Sequence, residues 1–173
     1  MEEYICRTGC ARVLGVEVLT YRISLPKWEK RDKISEFYAQ VEARTLSFCE
    51  TALRRMAERC FDASEDPKKR FHFPAFRYGL EGRVTWEDTD TDLVSVCLTA
   101  ELKQKGDCLE SCLQAHTWSL SEEVLLPPEQ IAERLALQGR FSRKMRKKEH
   151  FLVKNRTLLF LDGDTWSRVS FPD

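Results

Sequence analysis

The sequence lacks long apolar runs, net charge and more than a trace of histidine, and each absence closes off a class of function. No stretch approaches the roughly 18 apolar residues that a membrane-spanning helix needs. The first ten residues, MEEYICRTGC, open on two acids and have no apolar core, so they match neither a signal peptide nor a transit sequence. The expectation is a cytoplasmic protein without a membrane segment. Lysine plus arginine number 28, as do aspartate plus glutamate, so the bulk attraction that carries proteins onto nucleic acid or anionic lipid is missing. Histidines stand only at 72, 116 and 150, which leaves few bases to activate a cysteine or serine nucleophile. There is no nucleophile elbow, phosphate-binding loop, dinucleotide-binding glycine pattern or zinc-protease motif, and no internal repeat or low-complexity segment.

What is present fits one globular domain over residues 1–173. The chain is 42% hydrophobic and 32% charged, ordinary values for a length that buries a sizeable core. Seven cysteines, at 6, 10, 49, 60, 97, 108 and 112, form an odd set in a chain that needs no staples, so free thiols are expected.

Periodicity assigns the elements. Val16 to Leu25 alternates with a period of two, Leu19, Tyr21, Ile23 and Leu25 on one face, and Pro26 is expected to end this strand. From Ile34 the period changes. Ile34, Phe37, Tyr38, Val41, Thr45, Phe48, Cys49, Ala52, Met56 and Cys60 recur at three and four, predicting one long amphipathic helix to about Phe61, with Asp32 as its cap. Phe76 to Leu120 holds three alternating stretches joined by Glu87–Asp92 and Lys105-Gly106-Asp107, the pattern of an antiparallel three-stranded meander. In the second stretch Val94, Val96, Leu98, Ala100 and Leu102 are expected inward, and Ser95, Cys97, Thr99, Glu101 and Lys103 outward. Pro127-Pro128 opens a short helix, a basic helical segment follows at about Arg140 to Lys148, and Phe151 to Phe171 suggests a closing hairpin. The fold class predicted is α+β: a long helix packed on an antiparallel sheet, short C-terminal helices and a terminal hairpin.

Several groups invite a chemical reading. Cys108, Cys112 and His116 lie four apart, and with Cys6 and Cys10 they offer zinc's preferred donors. On a strand, residues four apart are roughly 13 Å from each other, so neither pair can chelate one ion. A shared site with one cysteine from each pair is the metal arrangement left, and a metalloprotein or enzyme built on the cysteine and histidine set is the alternative function. The expectation is nevertheless no metal, no cofactor and no catalytic residue. Glu87 to Asp92 spaces carboxylates as calcium loops do, yet lacks the glycine at the sixth position and places Thr99 where the bidentate glutamate should be. A solvated hairpin turn is the better account. The candidate binding residues are Gln114, His116 and Trp118, a polar and aromatic mixture on the outward face of the third meander strand, together with the basic run Arg140, Arg143, Lys144, Arg146 and Lys147. The neutral total favours neutralisation of that run by Glu133, Glu149 and the acidic turn over binding to nucleic acid.

The order of elements also resembles a known family. The words Val18-Leu19-Thr20-Tyr21-Arg22-Ile23-Ser24-Leu25-Pro26, then a long helix, then Asp92-Leu93-Val94-Ser95-Val96, Thr117-Trp118-Ser119-Leu120 and Leu125-Leu126-Pro127-Pro128-Glu129-Gln130-Ile131 resemble the RsiV-like domain. That family includes the extracytoplasmic part of bacterial lysozyme-sensing anti-sigma factors. The likeness runs from Val16 to the C-terminus and implies this fold and a non-catalytic binding or sensor module for a protein or small ligand. Lys105-Gly106-Asp107-Cys108 replaces the family's glycine-rich, histidine-containing turn, and Trp118-Ser119-Leu120-Ser121 stands where an aspartate and a threonine-glycine pair usually follow. Lysozyme binding is therefore carried over to no residue.

Overall fold

The structure is a computed structural model that describes residues 3–64, 70–137, 151–154, 157–162 and 165–170. The predicted helix runs from α1 (Asp32–Phe48) through a π turn (Cys49–Leu53) into α2 (Arg54–Asp62). Its apolar stripe starts as expected, with Ile34, Tyr38 and Cys49 buried. Beyond the π turn the buried positions are Leu53, Ala57 and Phe61, whereas Ala52 and Cys60 are exposed. One extra residue in a turn rotates everything downstream by about a position, so the stripe shifts along the sequence although its period survives.

Strands β1 (Glu3–Val13), β2 (Val16–Lys27), β3 (Phe76–Asp88), β4 (Leu93–Gln104) and β5 (Asp107–Ser119) form one sheet in the order β1-β2-β3-β4-β5. The meander β3-β4-β5 is as the alternation predicts. Between β1 and β2 the turn is Leu14-Gly15, and between β4 and β5 it is Lys105-Gly106. All four residues have positive φ, the type I′ geometry that matches the strands' twist. The β2–β3 ladder, Leu19↔Phe76 to Ser24↔Glu81, is parallel, which alternation could not reveal. The chain reaches β3 through a crossover that contains the long helix, and a strand, a returning helix and a second strand produce parallel neighbours. Pro26 does not end β2: it pairs with Tyr4 of β1. The ladder to β3 stops at Ser24, so β2 serves one neighbour where the missing amide proton falls.

β1 has no counterpart in the periodicity. It is an edge strand whose half-buried side carries Ile5, Gly9, Ala11 and Val13 while Cys6, Thr8 and Cys10 face out, and a glycine in the series hides the alternation. After β5 come α3 (Pro128–Arg134), with proline in its first turn, and a second sheet in the order β6-β7-β8, with β6 (Phe151–Lys154), β7 (Thr157–Asp162) and β8 (Thr165–Ser170). The antiparallel β7–β8 pair, Thr157↔Ser170 to Asp162↔Thr165, is the expected closing hairpin.

By contacts the chain divides into two units. The first comprises Met1–Lys27, Ser35–Glu81 and Thr99–Leu113, and the second Trp28–Ile34, Gly82–Leu98 and Gln114–Asp173. In the first, Cys49, Leu53, Ala57 and Phe61 of the helix pack on Ala11, Val18, Leu19, Phe76 and Leu102 of the sheet. In the second, Leu93 packs with Leu126, Ile131, Leu135, Phe151, Val153 and Leu158. Among the described residues, no helix is long and apolar enough to cross a membrane.

Candidate functional site

The first unit holds a pocket of about 210 Å³. Phe48, the last residue before the π turn, forms one wall, and Tyr78 of β3 with Ala100 and Leu102 of β4 forms the floor. Glu101, Glu110, Ser111 and Cys112 complete it from β4 and β5. The Phe48 and Tyr78 rings meet edge to face with centroids 5.8 Å apart, the favoured aromatic geometry. Phe48 nevertheless remains 45% exposed, although the stripe places it inward. Burial of Cys49 on the helix's core side leaves its neighbour at the margin of the helix–sheet contact.

Burial raises the Tyr78 phenol above its ordinary pKa, and the nearby Cys49 and Cys112 sulfurs act in the same direction. Tyr78 is therefore neutral and protonated at physiological pH. Burial, with Glu50 adding to it, also pushes the Cys49 thiol up to about 11, and a thiol so protonated is a poor nucleophile. Glu101 is ion-paired with Lys103. None of the lining residues is a histidine, lysine or arginine, so the pocket offers apolar and aromatic surface with two carboxylates, a hydroxyl and a thiol.

The residues proposed from sequence fall elsewhere. Gln114 is exposed, His116 half-buried and Trp118 only 4% exposed. Trp118 thus corrects the expectation of an outward residue. The chain after β5 turns back along the strand end, where Trp118 bridges Leu125, the Ser119 amide donates to the Val124 carbonyl at 2.9 Å, and the Leu126 amide donates to the Thr117 carbonyl at 2.9 Å. Arg140, Arg143, Lys144, Arg146 and Lys147, with the basic helix expected there, lie outside the described residues. Among the described residues no three histidine, cysteine, aspartate or glutamate side chains gather as a metal site would require, and all seven cysteines are free.

Two polar clusters in the second unit went unnoticed in the sequence. Asp92, the last acid of the predicted solvated turn, has φ of 55° and accepts hydrogen bonds from Ser119 Oγ at 2.6 Å, the Ser121 amide at 2.6 Å and Ser121 Oγ at 2.8 Å. Arg134 of α3 ion-pairs with the same carboxylate and donates to the Asp92 carbonyl at 3.1 Å. Burial works to raise the carboxyl pKa, but the Ser119, Ser121 and Arg134 donors together hold it well below the usual carboxylate range. Both carboxylate oxygens are engaged by structural partners, so the cluster is a lock joining the start of β4, the end of β5 and α3.

The second cluster is buried. Ser95 Oγ and Thr117 Oγ1 lie 2.7 Å apart, the Val153 amide donates to Ser95 Oγ at 3.1 Å, and Thr117 Oγ1 donates to the Phe151 carbonyl at 3.2 Å. Thr85 Oγ1 donates to the Val153 carbonyl at 2.9 Å. Ser95, expected outward, is fully buried, because β6 covers that face and its backbone must find partners there. The hydroxyls of β3, β4 and β5 supply them.

No protein-family model matches the sequence, and no curated protein does. Among solved structures, a DUF3298 family protein from Pseudomonas aeruginosa PAO1 superposes with a TM-score of 0.54 at 13% identity, covering 99% of this chain and 90% of that one. A member of the same family from Bacteroides fragilis NCTC 9343 superposes with a TM-score of 0.52 at 13% identity, covering 92% and 82%. At such identities what is shared is the fold, and the fold of this chain is that of DUF3298 family proteins.

Proposed function

We propose that this chain is a non-catalytic binding or sensor module, working in the cytoplasm, that takes a protein or small ligand at the Phe48–Tyr78 pocket. The observation that carries the reading is the large exposed aromatic side chain at the rim of an apolar depression, since such surface marks recognition sites. Seven free thiols support a reducing compartment. The likeness to DUF3298 family proteins concerns the fold and supplies neither role nor ligand.

Affinity capture from native extract, run in parallel with the wild-type chain and Phe48→Ala, tests the reading. Partners retained by the wild type and lost from the variant are expected. Identical capture profiles, together with no ligand-induced NMR shift at Phe48 or Tyr78, would remove the pocket from consideration.

A further inference from the structure

The two edges of the five-stranded sheet are guarded differently. β1 carries Arg7 and Arg12 along its length and a register shift between Ala11 and Arg12, and Arg7 is tied to Glu42 of the helix at 2.7 Å. Charged side chains and bulges are the devices by which natural edges avoid further pairing. Over its first half the charges on β5 are acids alone, Asp107 and Glu110. Asp107–Leu113 contains no proline, lysine or arginine, its first six residues are all exposed, and Leu109 stands 50% exposed at a sheet edge. Exposure of six consecutive positions means that side chains on both faces of this stretch reach solvent.

The same stretch forms one side of the pocket. Glu110 and Cys112 line it beside Phe48, Tyr78 and Leu102. An extended chain laid along β5 would find main-chain partners on the edge and a depression for one side chain next to it, which are the two elements of recognition by strand addition. At about 210 Å³ the pocket is below the roughly 300–1,000 Å³ of drug-sized ligand sites and suits a single side chain. Its chemistry selects which one. Aromatic faces and apolar floor favour a long aliphatic stem, while Glu110, with Asp107 on the same strand and no base between 107 and 113, favours a positive end.

We propose that β5 accepts an extended basic segment of a partner protein as a sixth strand along Asp107–Leu113, with a lysine or arginine side chain seated between Phe48 and Glu110. The inference rests on the pocket reading above and names its partner class. The strand supplies hydrogen bonds of low sequence selectivity, and the pocket supplies the preference.

Fluorescence anisotropy with a labelled octapeptide of alternating valine and lysine tests it. The comparison peptides alternate valine and glutamate, or carry N-methyl groups on every second residue of the lysine sequence. Binding of the lysine peptide is expected to weaken by about tenfold or more in Glu110→Lys, an exposed position whose variant is checked for an unchanged urea midpoint, and to weaken further with salt. N-methylation is expected to abolish it, since it removes the donors of a strand edge. Binding that survives N-methylation, or ignores Glu110→Lys, overturns the proposal, as does the absence of binding. An indole titration followed by NMR separates the two readings. Indole shifts at Phe48 and Tyr78 with no peptide binding would leave the pocket and remove the added strand, whereas neither response would remove both.

Discussion

The phenol of Tyr21 lies over Gly9, its register partner on the neighbouring strand, so closely that a Cβ at position 9 would stand 2.2 Å from the ring. The ring takes the place of the side chain that Gly9 lacks, a cross-strand cover for a glycine, and Tyr21 Oη then reaches Glu50 Oε1 of the π turn at 3.1 Å. Gly9→Ala must therefore displace Tyr21. A loss of about 1–3 kcal/mol is expected from such overpacking, read from urea denaturation. In the double variant Gly9→Ala/Tyr21→Ala the two losses should fall short of their sum, because the alanine methyl then fills space already vacated.

Asp92 ties acid stability to one carboxylate. Its folded-state pKa is depressed, so its contribution is complete above the unfolded value near 4 and is lost as pH falls below that toward the folded value. Asp92→Asn keeps a residue that tolerates positive φ and removes the charge. It is expected to lower stability at pH 7 by about 2 kcal/mol, the scale of a charged hydrogen bond. Between pH 5 and 3 the variant should lose less stability than the wild type, measured by urea titration at each pH.

Leu14 is 84% exposed and sits at φ of 50° in the first hairpin. A branched aliphatic residue gains nothing there and bears the left-handed penalty, whereas asparagine before glycine is the preferred pair for this turn. Leu14→Asn should stabilise the protein by about 0.5–1 kcal/mol, seen as a higher urea midpoint with unchanged slope.

Ser95→Ala tests the attachment of β6. The substitution leaves the Val153 amide without the acceptor it has at 3.1 Å, in a place where water does not replace it. A loss of about 1–3 kcal/mol is expected, and hydrogen exchange should report it first at the Val153 amide. Uniform loss of protection across the chain, with no excess at Val153, would show that the hydroxyl does not hold this strand.

Thiol accessibility gives a test without mutation. Cys6, Cys10, Cys60, Cys108 and Cys112 are exposed, Cys97 is half-buried and Cys49 is buried. A chromogenic disulfide should react with the first five rapidly and with Cys97 slowly. Cys49, protonated and enclosed, should react only on unfolding, with a rate that follows the unfolding rate.

Elements whose signal is local were legible from the residues alone. A period of two announced β2 through β5, and a period near 3.6 announced the helix, because alternation and helical recurrence express which side of a single element meets the core. Pro128 and the Lys105-Gly106 turn were legible for the same reason: each acts through its own backbone geometry. Where a residue's environment is built by distant chain, the tertiary structure decided. The π turn moved the buried stripe from Ala52 and Cys60 to Leu53 and Phe61, and the crossover made β2 and β3 parallel. Ser95 became a buried acceptor because β6 arrives from 58 residues away. Asp92 became a lock because Arg134 approaches it from α3. The pocket belongs to this second group, since Phe48, Tyr78 and Cys112 share no period and meet only where the helix at its π turn, a central strand and an edge strand converge.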